Sequence, residues 1–148
     1  MTTDYVGATD AIYADVYAAW KSACTTVLGA EQKMFFQGIV KDSAVEIGAA
    51  NEFWSRTSRQ TVDQGSNGPG ARKHAAVGLI FVQMFFPLSA KGAWRSGTQI
   101  ATTVKNALAR RSSSGTVWFR NPRINELTPD GTHHRLNVVA EFEYDEIV

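Results

Sequence analysis

Leu136 to Asp145 reads LNVVAEFEYD, and the parity of that stretch decides the fold. Leu136, Val138, Ala140, Phe142 and Tyr144 fall on one side of an extended chain, and Asn137, Val139, Glu141, Glu143 and Asp145 on the other. A strand written this way puts one face into a core and leaves a polar, acidic face. Upstream, Thr128-Pro129-Asp130-Gly131 is a turn, so Thr116 to Leu127 is expected to be the partner strand, bent at Asn121 and Pro122.

Working outward, Leu79 to Phe86 reads LIFVQMFF and stops at Pro87. The run is too short for a buried helix and is read as a strand buried on both faces. Ile80, Val82, Met84 and Phe86 make one face, while Leu79, Phe81 and Phe85, interrupted by Gln83, make the other apolar as well. In an antiparallel sheet one face commonly meets water, so the second apolar face needs cover from another element or subunit. Glu52 to Val62, rich in Trp, Phe, Thr and Ser, is a further strand, and Met34 to Gly48 holds one or two short ones.

Two segments carry helical periodicity. Ile12, Val16, Trp20, Cys24 and Leu28 recur every fourth residue between Asp10 and Leu28, with Thr9 or Asp10 placed to cap the start and Gly29 the end. Ile100, Val104 and Leu108 do the same between Ala93 and Arg111, where Arg110 and Arg111 suit the negative end of the dipole. Asp63 to Arg72 reads DQGSNGPGAR and is expected to be a mobile loop, with Gly65, Asn67, Gly68 and Gly70 giving it freedom. The order predicts one α+β domain over residues 1–148: a mostly antiparallel twisted sheet with two main helices packed on it.

The totals restrict function. Fifteen basic residues against 14 acidic ones leave a formal charge of +1, so no global field recruits nucleic acid or an acidic membrane, and partners are chosen by shape and local patches. A single cysteine, Cys24, sits in a helical pattern as a buried, inert thiol and implies a reducing compartment. No apolar run approaches the ~20 residues that cross a bilayer, so a soluble chain made in the cytosol is expected.

No catalytic, cofactor or metal set emerges. His133 and His134 are adjacent, point to opposite faces of a strand, and are expected to be surface or turn residues. His74 has no acidic residue within four positions, and GSNGPG lacks the Lys-Ser or Lys-Thr of a phosphate loop. Glu141, Glu143 and Asp145 form a solvated strand face, or a lumen or interface lining in a functional version. Arg56 and Arg59, on opposite faces beside Trp54, and Arg120 and Arg123, beside Trp118, interleave basic and aromatic groups as protein interfaces do. With Phe81 and Phe85, the residues Trp54, Arg56, Arg59, Trp118 and Arg120 are the candidate subunit contacts.

Three stretches in order resemble the tail terminator-like proteins of siphophages. Trp54 to Ser66 (WSRTSRQTVDQGS) resembles that family's Trp-x-Arg strand entering a Gly-rich loop. Gly78 to Gly92 (GLIFVQMFFPLSAKG) resembles its buried Val-Gln-x-Phe-x-Pro strand, and Val117 to Glu146 its closing strand pair with Asn-Val-Val-x-x-Phe-x-Tyr-Asp. His133 and His134 stand where the family commonly has an aromatic residue, and Glu31 to Ala50 matches poorly. The resemblance implies a non-enzymatic virion protein that forms a homohexameric ring capping the tail tube. It also implies docking to a head-proximal neck or tail completion protein, with genomic DNA passing through the lumen without sequence-specific binding. A different head-tail connector is the alternative, and a small-ligand enzyme or binding module a distant third.

Overall fold

A computed structural model of the protein describes residues 3–36, 52–66, 73–110, 112 and 115–147. Its elements run α1 (Tyr5–Leu28), β1 (Lys33–Phe36), β2 (Trp54–Ser66), β3 (Lys73–Pro87), α2 (Ala93–Ala107), β4 (Trp118–Leu127) and β5 (His133–Ile147). The strands form one sheet in the order β1-β2-β3-β5-β4. All pairs are antiparallel except β1 with β2, where Lys33 aligns with Trp54 and Phe36 with Thr57. The α+β architecture expected from the sequence is the one observed.

The long β3–β5 ladder, from Lys73↔Ile147 to Pro87↔His133, is the axis of the sheet. Its alternation fixes which side the helices occupy. Ile80, Val82, Met84 and Phe86 of β3 and Val138, Ala140, Phe142 and Tyr144 of β5 are wholly buried, as are Ile12, Val16 and Trp20 of α1 and Ile100 and Val104 of α2. Side chains at period 2 on the sheet thus meet side chains at helical spacing above it. Both helices pack against each other and against this one face.

Helix α1 starts five or six residues earlier than a cap at Thr9 or Asp10 would place it. Asp4 is the N-cap, its Oδ1 accepting from the Gly7 amide at 2.6 Å. Residues 5–9 carry little apolar periodicity, which hid the first turn. Gly29 closes α1 in the left-handed region at φ 79°, as expected, and its N–H donates to the Thr25 carbonyl. Helix α2 stops at Ala107 rather than Arg111, and the Arg110 carbonyl instead accepts from the Phe119 amide of β4.

The larger correction concerns the expected loop. Asp63 to Ser66 belong to β2, which pairs through Gly65↔Ala75 and Ser66↔His74 beyond an irregularity between Thr61 and Asp63. The backbone ladder to β3 holds these residues extended. Gly65 is therefore a strand residue, while Asn67, Gly68 and Gly70 lie outside the described residues. The same holds for the expected strand positions between Gln37 and Gly48, so β1 alone represents that region. At the far edge, the bend in β4 is real: Asn121 has φ 53°, and the register shifts between Arg120 and Arg123.

Gly97 sits where α2 crosses the sheet, and a Cβ there would overlap the Phe86 ring. Alanine gains about 1 kcal/mol of helix propensity, whereas overpacking a filled core costs about 1–3 kcal/mol and more when the neighbour cannot swing aside. Gly97→Ala should therefore lower the urea midpoint despite its better helix propensity. An unchanged or raised midpoint would show that α2 is free to lift from Phe86.

Candidate functional site

The face of the sheet opposite the helices is the surface on which sequence-level candidates converge. Among the described residues no helix or strand layer covers it. Register assigns its rows. Trp54, Phe85, Arg135 and Leu127 share the first; Arg56, Gln83, Asn137 and Asn125 the second; Ser58, Phe81, Val139 and Arg123 the third; Gln60, Leu79, Glu141 and Arg120 the fourth. Trp118 stands beside Glu143 in the next.

One end of this face is built from aromatic rings. Trp54 stacks on Phe85 with centroids 3.9 Å apart and an interplanar angle of 4°, and Phe35 meets Trp54 edge-on at 5.7 Å. His133 stands perpendicular to both, 6.2 Å from Trp54 and 6.1 Å from Phe85. Each of these contacts adds about 0.5–1.5 kcal/mol beyond area burial. The stack leaves Trp54 and Phe85 only 5% and 4% exposed without any covering layer. Arg56 extends over Phe85 at 5.8 Å and donates to Gln83 Oε1 at 2.9 Å.

His133 is not the surface histidine expected from its place beside a turn. It is 3% exposed, and its Nε2 lies 3.0 Å from the Glu52 carbonyl, which can only accept. Nε2 therefore carries a proton, and Nδ1 lies 2.9 Å from Thr132 Oγ1. The turn below is held by Asp130, whose Oδ1 accepts from the Thr132 and His133 amides at 3.1 and 2.9 Å. Those two N–H bonds keep its carboxyl below the usual carboxylate range. His134, on the opposite side of β5 as parity requires, meets Trp94 of α2 at 5.2 Å.

The other end is polar, but not a bare acidic face. Arg120 reaches Glu143 at 2.8 Å and Glu141 at 3.7 Å, Arg123 approaches Glu141 at 3.8 Å, and Asn121 Nδ2 donates to Glu141 at 2.7 Å. The bulge in β4 brings Asn121 and both arginines onto one strand of carboxylates. Exposed pairs of this kind contribute at most about 1 kcal/mol each, so they neutralise the face more than they stabilise it. Along β3, Phe81, Leu79 and Val77 are half-buried, Phe81 beside Val139, Leu79 in the row of Glu141 and Val77 in that of Glu143.

Arg59 does not share this surface. It faces the helices, with its guanidinium 4.2 Å from the Tyr5 ring and 5.1 Å from Phe142. Sequence parity separated Arg56 from Arg59 but could not say which face α1 would cover. Cys24 is buried under α1, where desolvation pushes its thiol up to about 12. Among the described residues there is no cluster of three or more His, Cys, Asp or Glu able to hold a metal, and no helix long and apolar enough to cross a membrane.

No family model matches the chain, and no curated protein matches it. Several solved structures are similar to the chain, among them one that matches over 92% of this chain and 94% of its own, with a TM-score of 0.59 and 16% sequence identity. A likeness at that identity shows the fold alone.

Two measurements probe these placements. Phe85→Asp should destabilise the fold by roughly 3–5 kcal/mol, because it removes a stacked ring and buries a carboxylate among Trp54 and His133. A variant with an unaltered denaturation midpoint would mean that the stack is open to water. Cys24 should resist alkylation by iodoacetamide at pH 8 in the folded chain and react rapidly in urea, since the thiolate is the nucleophile. Equal rates in both conditions would contradict its burial.

Proposed function

We propose that the chain is a structural protein of a long-tailed phage virion, a ring-forming tail terminator rather than an enzyme. The observation that carries the proposal is that the three stretches resembling that family become four neighbouring strands. Trp54 to Ser66 is β2, Gly78 to Gly92 contains most of β3, and Val117 to Glu146 supplies β4 and nearly all of β5. Their order along the chain thus corresponds to one continuous stretch of the sheet.

The physical requirement is asymmetry. A tube that grows by adding identical rings presents the same end after every step, and growth stops only when a ring with a different outer face occupies that end. Such a protein has to offer each neighbour a different patch. Two dissimilar faces support this: a helix layer on one side, and on the other an open sheet face along which the half-buried Phe81, Leu79 and Val77 run from the aromatic stack to the row of Glu143. We assign this open face to the contact between subunits. The proposed partners are further copies in a hexameric ring, the tail tube protein on one side and a neck or tail completion protein on the other, at the head-proximal end of the tail.

Phage lacking the protein should make tails of irregular, excessive length that fail to join DNA-filled heads, as seen by electron microscopy. Normal-length tails that fail to attach would transfer the assignment to a neck protein, and an absence of tails would overturn both. In solution, Phe81→Asp should leave the circular dichroism spectrum intact but shift the sedimenting species from ring to monomer, because Phe81 lies on the open face outside the Trp54–Phe85 stack. Intact rings in that variant would remove the open face from the interface.

A further inference from the structure

No Asp or Glu occurs between Asp63 and Glu126, although the whole chain is nearly neutral. Helix α2 lies in the middle of this carboxylate-free span. Lys91, Arg95 and Arg110, in and beside it, are exposed and Lys105 is half-buried. None of the four forms an ion pair among the described residues, in contrast to Arg120 and Arg123 on β4. Arg120 and Arg123 of β4 are thus already neutralised, and the basic groups in and beside α2 have no such carboxylate partner among the described residues.

The buried side of α2 consists of Ala93, Gly97, Ile100, Ala101 and Val104, which points the ridge Arg95, Gln99, Thr102, Asn106 directly at solvent. Beside the ridge runs a shallow groove of about 620 Å³ toward the end of α1, lined by Thr26, Val27, Thr98, Gln99, Thr102 and Thr103. Thr98, Thr102 and Thr103 donate to carbonyls of their own helix at 2.8–3.1 Å. The floor is thus neutral and internally satisfied, leaving Gln99, Asn106 and the basic side chains as the groups free to contact a ligand.

We propose that the solvent face of α2 binds the sugar-phosphate backbone of duplex DNA without reading its sequence. Charge complementarity selects a polyanion. The 15-residue helix is about 22 Å long, a distance over which one DNA strand carries about six phosphates. Along the ridge from Arg95 to Asn106 the groups are amide, hydroxyl and basic, and the exposed Trp94 beside Arg95 already lies against the His134 ring. Amide and basic groups suit phosphate contacts, which position a protein on a duplex but carry no base specificity. The surface does not rest on the tail reading; within that reading it turns α2 toward the DNA channel and leaves the neutralised Glu141–Glu143 face elsewhere.

The test is fluorescence anisotropy of the full chain with a labelled 30-base-pair duplex between 50 and 200 mM NaCl. Four phosphate contacts give a slope of log K against log salt of about −3.6, a loss of roughly 150-fold over that range. Arg95→Glu with Lys105→Glu, both at the surface, should flatten the slope to about −1.8 or less while leaving the circular dichroism spectrum and the oligomeric state unchanged. A scrambled duplex of equal length should bind equally well. A salt slope unchanged in the double variant, or preference for one sequence, would overturn the assignment. So would competition by poly-glutamate as effective as by unlabelled DNA, which would mark α2 as a contact for an acidic protein instead. Loss of DNA binding with rings intact would separate this surface from the subunit interface.

Discussion

The structure depends on a mismatch between β3 and the helices available to cover it. Leu79 to Phe86 is apolar on both sides, but α1 and α2 lie on one side only. Ile80, Val82, Met84 and Phe86 reach complete burial there, and Phe142 and Tyr144 of β5 complete the same layer. On the opposite side the chain has to shelter Phe85 with what the neighbouring strands provide, and it does so with the Trp54 ring and the edge-on His133. Farther along, Phe81 and Leu79 find no comparable ring and remain half-buried. The apolar surplus of one strand thus creates both the aromatic stack and the surface assigned to subunit contact.

A second consequence appears in β2, which runs under α1 with a polar row. Ser55 and Thr57 are completely buried, and Arg59 is enclosed by Tyr5 and Phe142. An arginine can be accommodated in such a place because its flat, weakly hydrated guanidinium stacks on aromatic faces. The N-terminal turn, capped by Asp4, brings Tyr5 over it, while the Thr3 amide donates to the Asp145 carbonyl and ties the start of the chain to the end of β5. The early start of α1 therefore belongs to the same arrangement as the buried arginine.

Charge follows the layers rather than the totals. On the sheet Arg120 and Arg123 pair with Glu141 and Glu143 across β4 and β5, while Lys91, Arg95 and Arg110 in and beside α2 stay in solvent. A net charge of +1 describes neither surface. The same molecule presents a neutralised, partly apolar face on one side and an uncompensated basic helix on the other, which is the kind of two-sidedness a non-identical set of neighbours requires.

The strand pattern of Leu136 to Tyr144, the apolar run of β3, the fourfold spacings in α1 and α2 and the bend at Asn121-Pro122 were all legible from the sequence, because each is set by side-chain period or by a local backbone restriction, whereas the expected burial of β3 on both faces is complete only on the helix side, Leu79 and Phe81 staying half-buried. The resemblance to a virion family rests on an ordered set of stretches and stands as a proposal. What depended on partners distant in the chain was not legible. Asp63 to Ser66 looked like a loop until β3 supplied a ladder, and His133 looked exposed until the Glu52 carbonyl, 81 positions away, and the Trp54–Phe85 stack enclosed it. Parity set Arg56 and Arg59 on opposite faces, but only α1 decided that Arg59 would be the buried one. Period and turn chemistry act within a few residues and are written locally, whereas burial is a property of what packs from elsewhere, and that was decided by the tertiary structure.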